Sequence, residues 1–273
     1  MTLPRGVIPS GAVVTDAGAM IVWSIDSSLV LVYRAGTPKS VCRGQALTPV
    51  GAAFVAGGRG VEIVDRDGEG ARVLHASDET PCATRYVLTD SEGLIAAARL
   101  EAGWVIAVRP DSGVARFRGL DESGRTRWTF DADSASDSPL NPLRTTMTSA
   151  GRNGIILASI TPPFRSVYVD ASGTPRASLQ ADTDSGPRAG WLGLRVLRLA
   201  HGYLQVLADP RSDRRHIVLF GESGAVLRRR DLDVAFGFVA SSPSGEHLLA
   251  LRRTNVDEMV VYRVLGSTFA IRR

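Results

Sequence analysis

Lysine is almost missing from this chain. Lys39 is the one lysine in 273 residues, and every other basic side chain behind the formal net charge of +4 is arginine. A GC-rich coding bias replaces lysine in this way as readily as anion binding does, so arginine content alone assigns no ligand. Cysteine is nearly as scarce. Cys42 and Cys82 match no metal-ligand spacing. Free structural thiols are the commoner arrangement for such a pair, and a bond between them would imply export. Aromatic residues make up 6% of the chain and are not interleaved with the basic ones. With so modest a charge, that excludes the stacking platforms of a nucleic-acid binder.

Long apolar runs are also lacking. None reaches the roughly 18 residues of a membrane span. The opening "MTLPRGVIPSG" has no apolar core of a signal peptide. The expectation is a cytoplasmic chain, or an exported one whose leader lies upstream of the sequence given. Several catalytic signatures are absent too: no Gly-x-Ser-x-Gly elbow, no phosphate-binding loop and no HExxH helix.

What the chain has is a repeated phrase. Units aligned on a glycine begin at Gly18, Gly51, Gly93, Gly154, Gly202 and Gly245. Each carries a short apolar run, a variable loop, a second run, a glycine turn and a closing run. A further run usually precedes the glycine. Six units of roughly 45 residues with four short strands each define an all-β fold, a six-bladed β-propeller of four-stranded antiparallel blades. The whole chain, 1–273, then forms one domain. The runs "MIVW", "LVLVY", "IVLF" and "MVVY" are continuously apolar, as central strands covered on both faces must be. The stretch "SEGLIAAARLEAG", 91–103, has helical propensity, but it falls in register with the other units and is read as strand–turn–strand. The turns Asp67-Gly68, Ser123-Gly124, Ser172-Gly173 and Ser223-Gly224 recur because the hairpin between third and fourth strands recurs.

The last unit, "SSPSGEHLLALRR", places Ser242, Pro243, Ser244 and Gly245 before an apolar strand. In this it resembles the repeats of bacterial six-bladed propellers of the NHL and TolB-like kind. That superfamily includes binding modules, scaffolds and hydrolases, so the resemblance implies a fold and leaves function open.

Binding on such a scaffold concentrates in long irregular loops. The loops after the second strand are expected to be short in units one to three and long in units four to six. There they carry Arg165, Arg211, Arg214, Arg215, Arg252 and Arg253, with Phe164 beside them. On adjacent blades these arginines could form a basic arc for a carboxylate, a phosphate or an acidic protein; the alternative is a solvated polar rim. Trp191, on the crossover into the fifth unit, is a stacking platform or a core residue. The segment "DADSASD" spaces Asp131, Asp133 and Asp137 partly like a calcium loop but lacks its glycine and glutamate, and reads as a linker. His75, His201, His216 and His247 make no zinc set, although His201 and His247 fall near equivalent turns of consecutive units. Lactonase-type propellers, which the architecture resembles, hold a metal in the channel through Glu, Asn and Asp. The counterparts available here are Asp16, Asp90 and Asn153, each just before a unit glycine. The leading expectation is a non-catalytic binding or protein-interaction module without cofactor or metal. Its partner is a protein or an anionic small molecule. The alternatives are a metal-dependent hydrolase and an exported TolB-like assembly factor.

Overall fold

The computed structural model describes residues 2–5, 7–34, 37–42, 45–55, 60–68, 70–77, 82–89, 91–111, 114–131, 141–150, 153–181, 190–212, 214–232, 236–252, 258–265 and 270–272. Among the described residues, twenty-four strands form six separate four-stranded antiparallel sheets, each built from consecutive strands. Blade one holds β1 (Gly11–Val14), β2 (Met20–Ser24), β3 (Leu29–Arg34) and β4 (Thr37–Val41). Blade two holds β5 (Pro49–Phe54), β6 (Gly60–Asp67), β7 (Gly70–Ser77) and β8 (Ala83–Leu88). Blade three holds β9 (Leu94–Leu100), β10 (Gly103–Val108), β11 (Arg116–Leu120) and β12 (Thr126–Asp131). Blade four follows a short 3-10 turn at Pro142–Arg144 with β13 (Thr145–Ser149), β14 (Gly154–Ser159), β15 (Arg165–Asp170) and β16 (Pro175–Gln180). Blade five holds β17 (Leu192–Leu199), β18 (Gly202–Ala208), β19 (Arg215–Gly221) and β20 (Val226–Leu232). Blade six holds β21 (Phe236–Ser241), β22 (His247–Arg252), β23 (Glu258–Leu265) and β24 (Ala270–Arg272). The first strands, β1, β5, β9, β13, β17 and β21, contact one another in sequence and close a ring. This is the six-bladed propeller that the repeat predicts. No helix among the described residues is long and apolar enough to cross a membrane.

The core lies between blades, as six clusters, one at each interface. Three central strands bury every residue: β10, β14 and β18 are buried throughout. This explains why their sequences do not alternate, since each face of a blade meets a neighbour. The stretch 91–103 forms β9 and the turn into β10 despite its helical propensity, because the ring supplies partners that an isolated helix would lack.

Two features differ from the sequence alignment. Gly51 lies inside the inner strand β5 and Gly93 immediately before the inner strand β9, whereas the other four unit glycines stand at or just before second strands. The repeat is therefore counted one strand early in blades two and three. Cys42 and Cys82 are bonded to each other. They join the end of the outermost strand of blade one to the start of the outermost strand of blade two.

Each terminal blade is complete from its own end of the chain. β24 supplies the last strand of blade six, and Thr2 bridges Glu258 of that blade. Leu3, Ala12, Val14, Met20 and Tyr33 pack against Ala240, Leu249 and Met259 to seal the closure.

Candidate functional site

Every inner strand starts at the rim formed by the interblade crossovers and by the loops between second and third strands. The opposite rim carries the first-to-second and third-to-fourth turns. On the crossover rim, the second-to-third loop of blade three spans residues 109–115 and is as long as those of blades four to six. The expected contrast between units one to three and four to six therefore fails at blade three. Asp67-Gly68 also moves: it joins β6 to β7, second to third strand, and lies on the crossover rim. The other three repeated turns do join third to fourth strands, and Gly124, Gly173 and Gly224 share φ values of +84°, +83° and +82°. Two of these turns are held by a carboxylate. Asp121 Oδ1 accepts from Ser123 N, Ser123 Oγ and Arg125 N, and Asp170 Oδ1 does the same with Ser172 and Thr174.

The predicted arginines that are described occupy one rim but three successive blades. Arg165 begins β15 and is exposed. Arg211 and Arg214 are exposed in the loop before β19, where Asp209 fixes the turn by accepting from Arg211 N at 3.0 Å. Arg215 is half-buried and donates to the Arg214 carbonyl at 3.0 Å. Arg252, half-buried at the end of β22, is paired with Glu258 across the hairpin. Arg253 lies outside the described residues. Trp191 is buried, 7% exposed, and packs edge-on against His216 with ring centroids 6.3 Å apart. Its burial removes the exposed-platform reading and leaves it in the core between blades four and five.

A residue that the sequence reading missed lies at the mouth of the central channel. The close approach of Gly193 to blade four sets the start of β17: a Cβ there would stand 2.6 Å from the Ser159 carbonyl oxygen. The next residue, Leu194, is the extra residue of a bulge, because Gly193 pairs with Leu207 while Arg195 already pairs with Val206. Bulges of this kind re-aim side chains. Leu194 packs into the interface of blades five and six, and Arg195 is turned inward. Its Nη2 donates to the Ser10 carbonyl at 3.4 Å. Ser10 precedes β1, so the side chain reaches past blade six to blade one. Burial lowers the Arg195 pKa, and no carboxylate enters as a compensating charge. The neighbouring inner strand β13, "TTMTS", is half-buried along its length, and Thr148 Oγ1 is buried without a hydrogen-bond partner. The signal that could have revealed Arg195 is a charge inside the apolar run "WLGLRVLRL".

The same rim exposes several large apolar side chains. Among the described residues, the large apolar side chains left exposed are Ile8, Ile95, Val114, Leu143, Leu192, Val87 and Leu227. The first five belong to the crossover rim. Ile8, Ile95, Leu143 and Leu192 sit at or just before the starts of inner strands of blades one, three, four and five. Leu143 is presented by the 3-10 turn, which Asn141 caps by accepting from Leu143 N at 3.1 Å.

The remaining candidates are placed elsewhere. Asp16 is exposed on the opposite rim and bonded to Ser244. Asn153 is on that rim too, at a cavity of about 190 Å³ lined also by Leu100, Leu120 and Trp128. Asp90, Asp133 and Asp137 lie outside the described residues. Asp131 ends β12 within 3.7 Å of Arg116. His216 Nδ1 is 2.7 Å from the Asp231 carboxylate. The turns beside His201 and His247 are joined by Ala200 N donating to the Gly245 carbonyl at 3.2 Å. His75 lies in β7 on the partner position to Glu62. Among the described residues, no group of three His, Cys, Asp or Glu side chains could hold a metal ion.

No protein-family model and no curated sequence matches the chain. Solved structures do. A putative TolB from Agrobacterium tumefaciens is 14% identical, with 94% of this chain and 91% of that one covered and a TM-score of 0.58. Virginiamycin B lyase from Staphylococcus aureus is 10% identical over 100% of this chain and 86% of that one, at a TM-score of 0.57. A putative 6-phosphogluconolactonase from Bacteroides uniformis is 13% identical over 96% and 80%, at 0.54. At such identities the likeness is one of fold, and the chain is a six-bladed β-propeller whose structural neighbours include both enzymes and TolB.

Proposed function

We propose that the chain is a non-catalytic binding or protein-interaction module that engages an anionic partner through its crossover rim. The observation that carries this reading is the concentration of exposed apolar side chains on that rim, at Ile8, Ile95, Val114, Leu143 and Leu192. Exposed apolar clusters bordered by polar groups mark interaction surfaces. Arg211, Arg214 and Arg165 border them here. The rim thus combines an apolar centre with a cationic edge, which suits an acidic partner. The Cys42–Cys82 bond supports export, since reducing compartments keep such thiols apart.

The test is affinity capture with the purified chain and two variants, Arg211→Ala/Arg214→Ala/Arg165→Ala and Leu143→Asp. Loss of the captured partner in both variants, with the thermal midpoint kept, is the expected result. An unchanged set of partners sinks the rim reading.

A further inference from the structure

We infer that Arg195 is an anion-binding residue at the mouth of the channel, built to take the carboxylate of an apolar monocarboxylate. This rests on the rim reading and adds the ligand chemistry. A guanidinium offers five N–H donors in a planar fork that matches a carboxylate. Among the described residues, Arg195 places one of them, on Ser10 O at 3.4 Å, and faces no acid. Arg195 is half-buried and its remaining donors are not sealed inside the protein, so an anion entering the channel can reach them. The chain spends a bulge at Leu194 and a glycine at 193 to put the arginine there.

The surroundings select the ligand. One guanidinium balances one negative charge, whereas a phosphate dianion calls for a second cation. The arginines of the rim are loop residues or are paired locally, as Arg252 is with Glu258. Ile8 and Ile95 are exposed at the starts of the inner strands of blades one and three, and Leu192 at the start of Arg195's own strand. A carboxylate on an apolar body therefore fits: the anion on Arg195 and the apolar part against the mouth. A free organic acid and the C-terminus of a protein chain share that chemistry.

The test titrates the full chain with hexanoate, with hexan-1-ol, and with the dipeptide Leu-Leu as free acid and as C-terminal amide, reading heat of binding. At least one acid is expected to bind about tenfold or more tightly than its neutral counterpart. Arg195→Met removes that preference, and Arg195→Lys keeps part of it. Tighter binding of hexanoate identifies a free acid as the ligand source, and tighter binding of the peptide acid identifies a chain terminus. Acids that bind no better than the neutral compounds, or that bind Arg195→Met as well as the parent, overturn the inference. So does the absence of binding by either acid. Arg195→Lys guards against a misfolded Met variant: a reduced preference in a folded Lys variant supports the contact, and an unchanged preference in both variants refutes it. Partner capture by the rim, lost in Leu143→Asp but intact in Arg195→Met, marks failure of this inference alone.

Discussion

The carboxylate of Asp16 accepts two hydrogen bonds from Ser244, from Oγ at 2.5 Å and from the backbone N at 3.1 Å, across 228 residues of sequence. Ser244 belongs to the Ser-Pro-Ser-Gly turn of blade six, and Asp16 to the first turn of blade one. The pair latches the ring where the chain's two ends meet. Ser242, fully buried in the same turn, accepts from His247 N at 3.2 Å and orients it. Asp16→Ala is expected to cost about 1 kcal/mol, the usual scale for hydrogen bonds at an exposed site. Urea unfolding of the variant against the parent reads this directly, and equal midpoints would show the latch to be idle.

The turn carboxylates set an acid limit. At Asp121 and Asp170, hydrogen bonds from Ser123 and Ser172 lead the causes that hold the pKa below the ordinary value of 3.8. At Asp16 burial raises the pKa, but the bonds from Ser244 and Ser242 outweigh it and the net shift is downward. Because the folded pKa lies below the unfolded one, the unfolded chain binds more protons. The stabilisation is complete above the unfolded value and is lost as pH falls from about 4 through the folded values. Thermal midpoints should fall steeply over that window, and the slope should be shallower in Asp121→Asn/Asp170→Asn. A slope unaltered by the double variant would assign the acid sensitivity to other groups.

The disulfide closes a loop with a sequence separation of 40 residues. Loop entropy alone gives about 4 kcal/mol for that length. Reduction, or Cys42→Ser/Cys82→Ser, should lower stability by about 2–4 kcal/mol. Loss should begin at the interface of blades one and two, where Ile21, Val32, Ile63 and Leu74 pack. Hydrogen exchange on the reduced chain checks the location; uniform loosening of all blades would contradict it.

Glu62 is the buried carboxylate of an ion triad, 1% exposed, between Arg85 of blade two and Arg99 of blade three. Arg99 also lies over the Trp104 ring, 5.4 Å from its centroid. Glu62→Ala leaves two like charges facing a buried space and should cost about 3–5 kcal/mol. Chemical denaturation measures it, and a loss below about 1 kcal/mol would mean that water already screens the triad.

The blades were legible because their physics is periodic. Buried central strands such as "IVLF" and hairpin glycines such as Gly173 recur wherever a blade recurs. Three things were not legible. The register of blades two and three slips because the small residues of β5 and β9 resemble second strands. The disulfide left no mark, since only the ring brings Cys42 to Cys82. Arg195 was hidden because one bulge decides whether it faces a blade or the channel. The rim arginines were found from loop composition, yet the apolar side chains between them, Leu143 and Leu192 among them, are scattered singly along the sequence and gather only when the inner strands close.

The central claim is that the crossover rim is the binding face. It is tested most directly by placing a photo-crosslinking residue at Leu192 on that rim and, separately, at Ser223 on the opposite rim. The account predicts partner adducts from Leu192 that disappear in the Leu143→Asp background, with Ser223 silent. Adducts from Ser223 and none from Leu192 would contradict it.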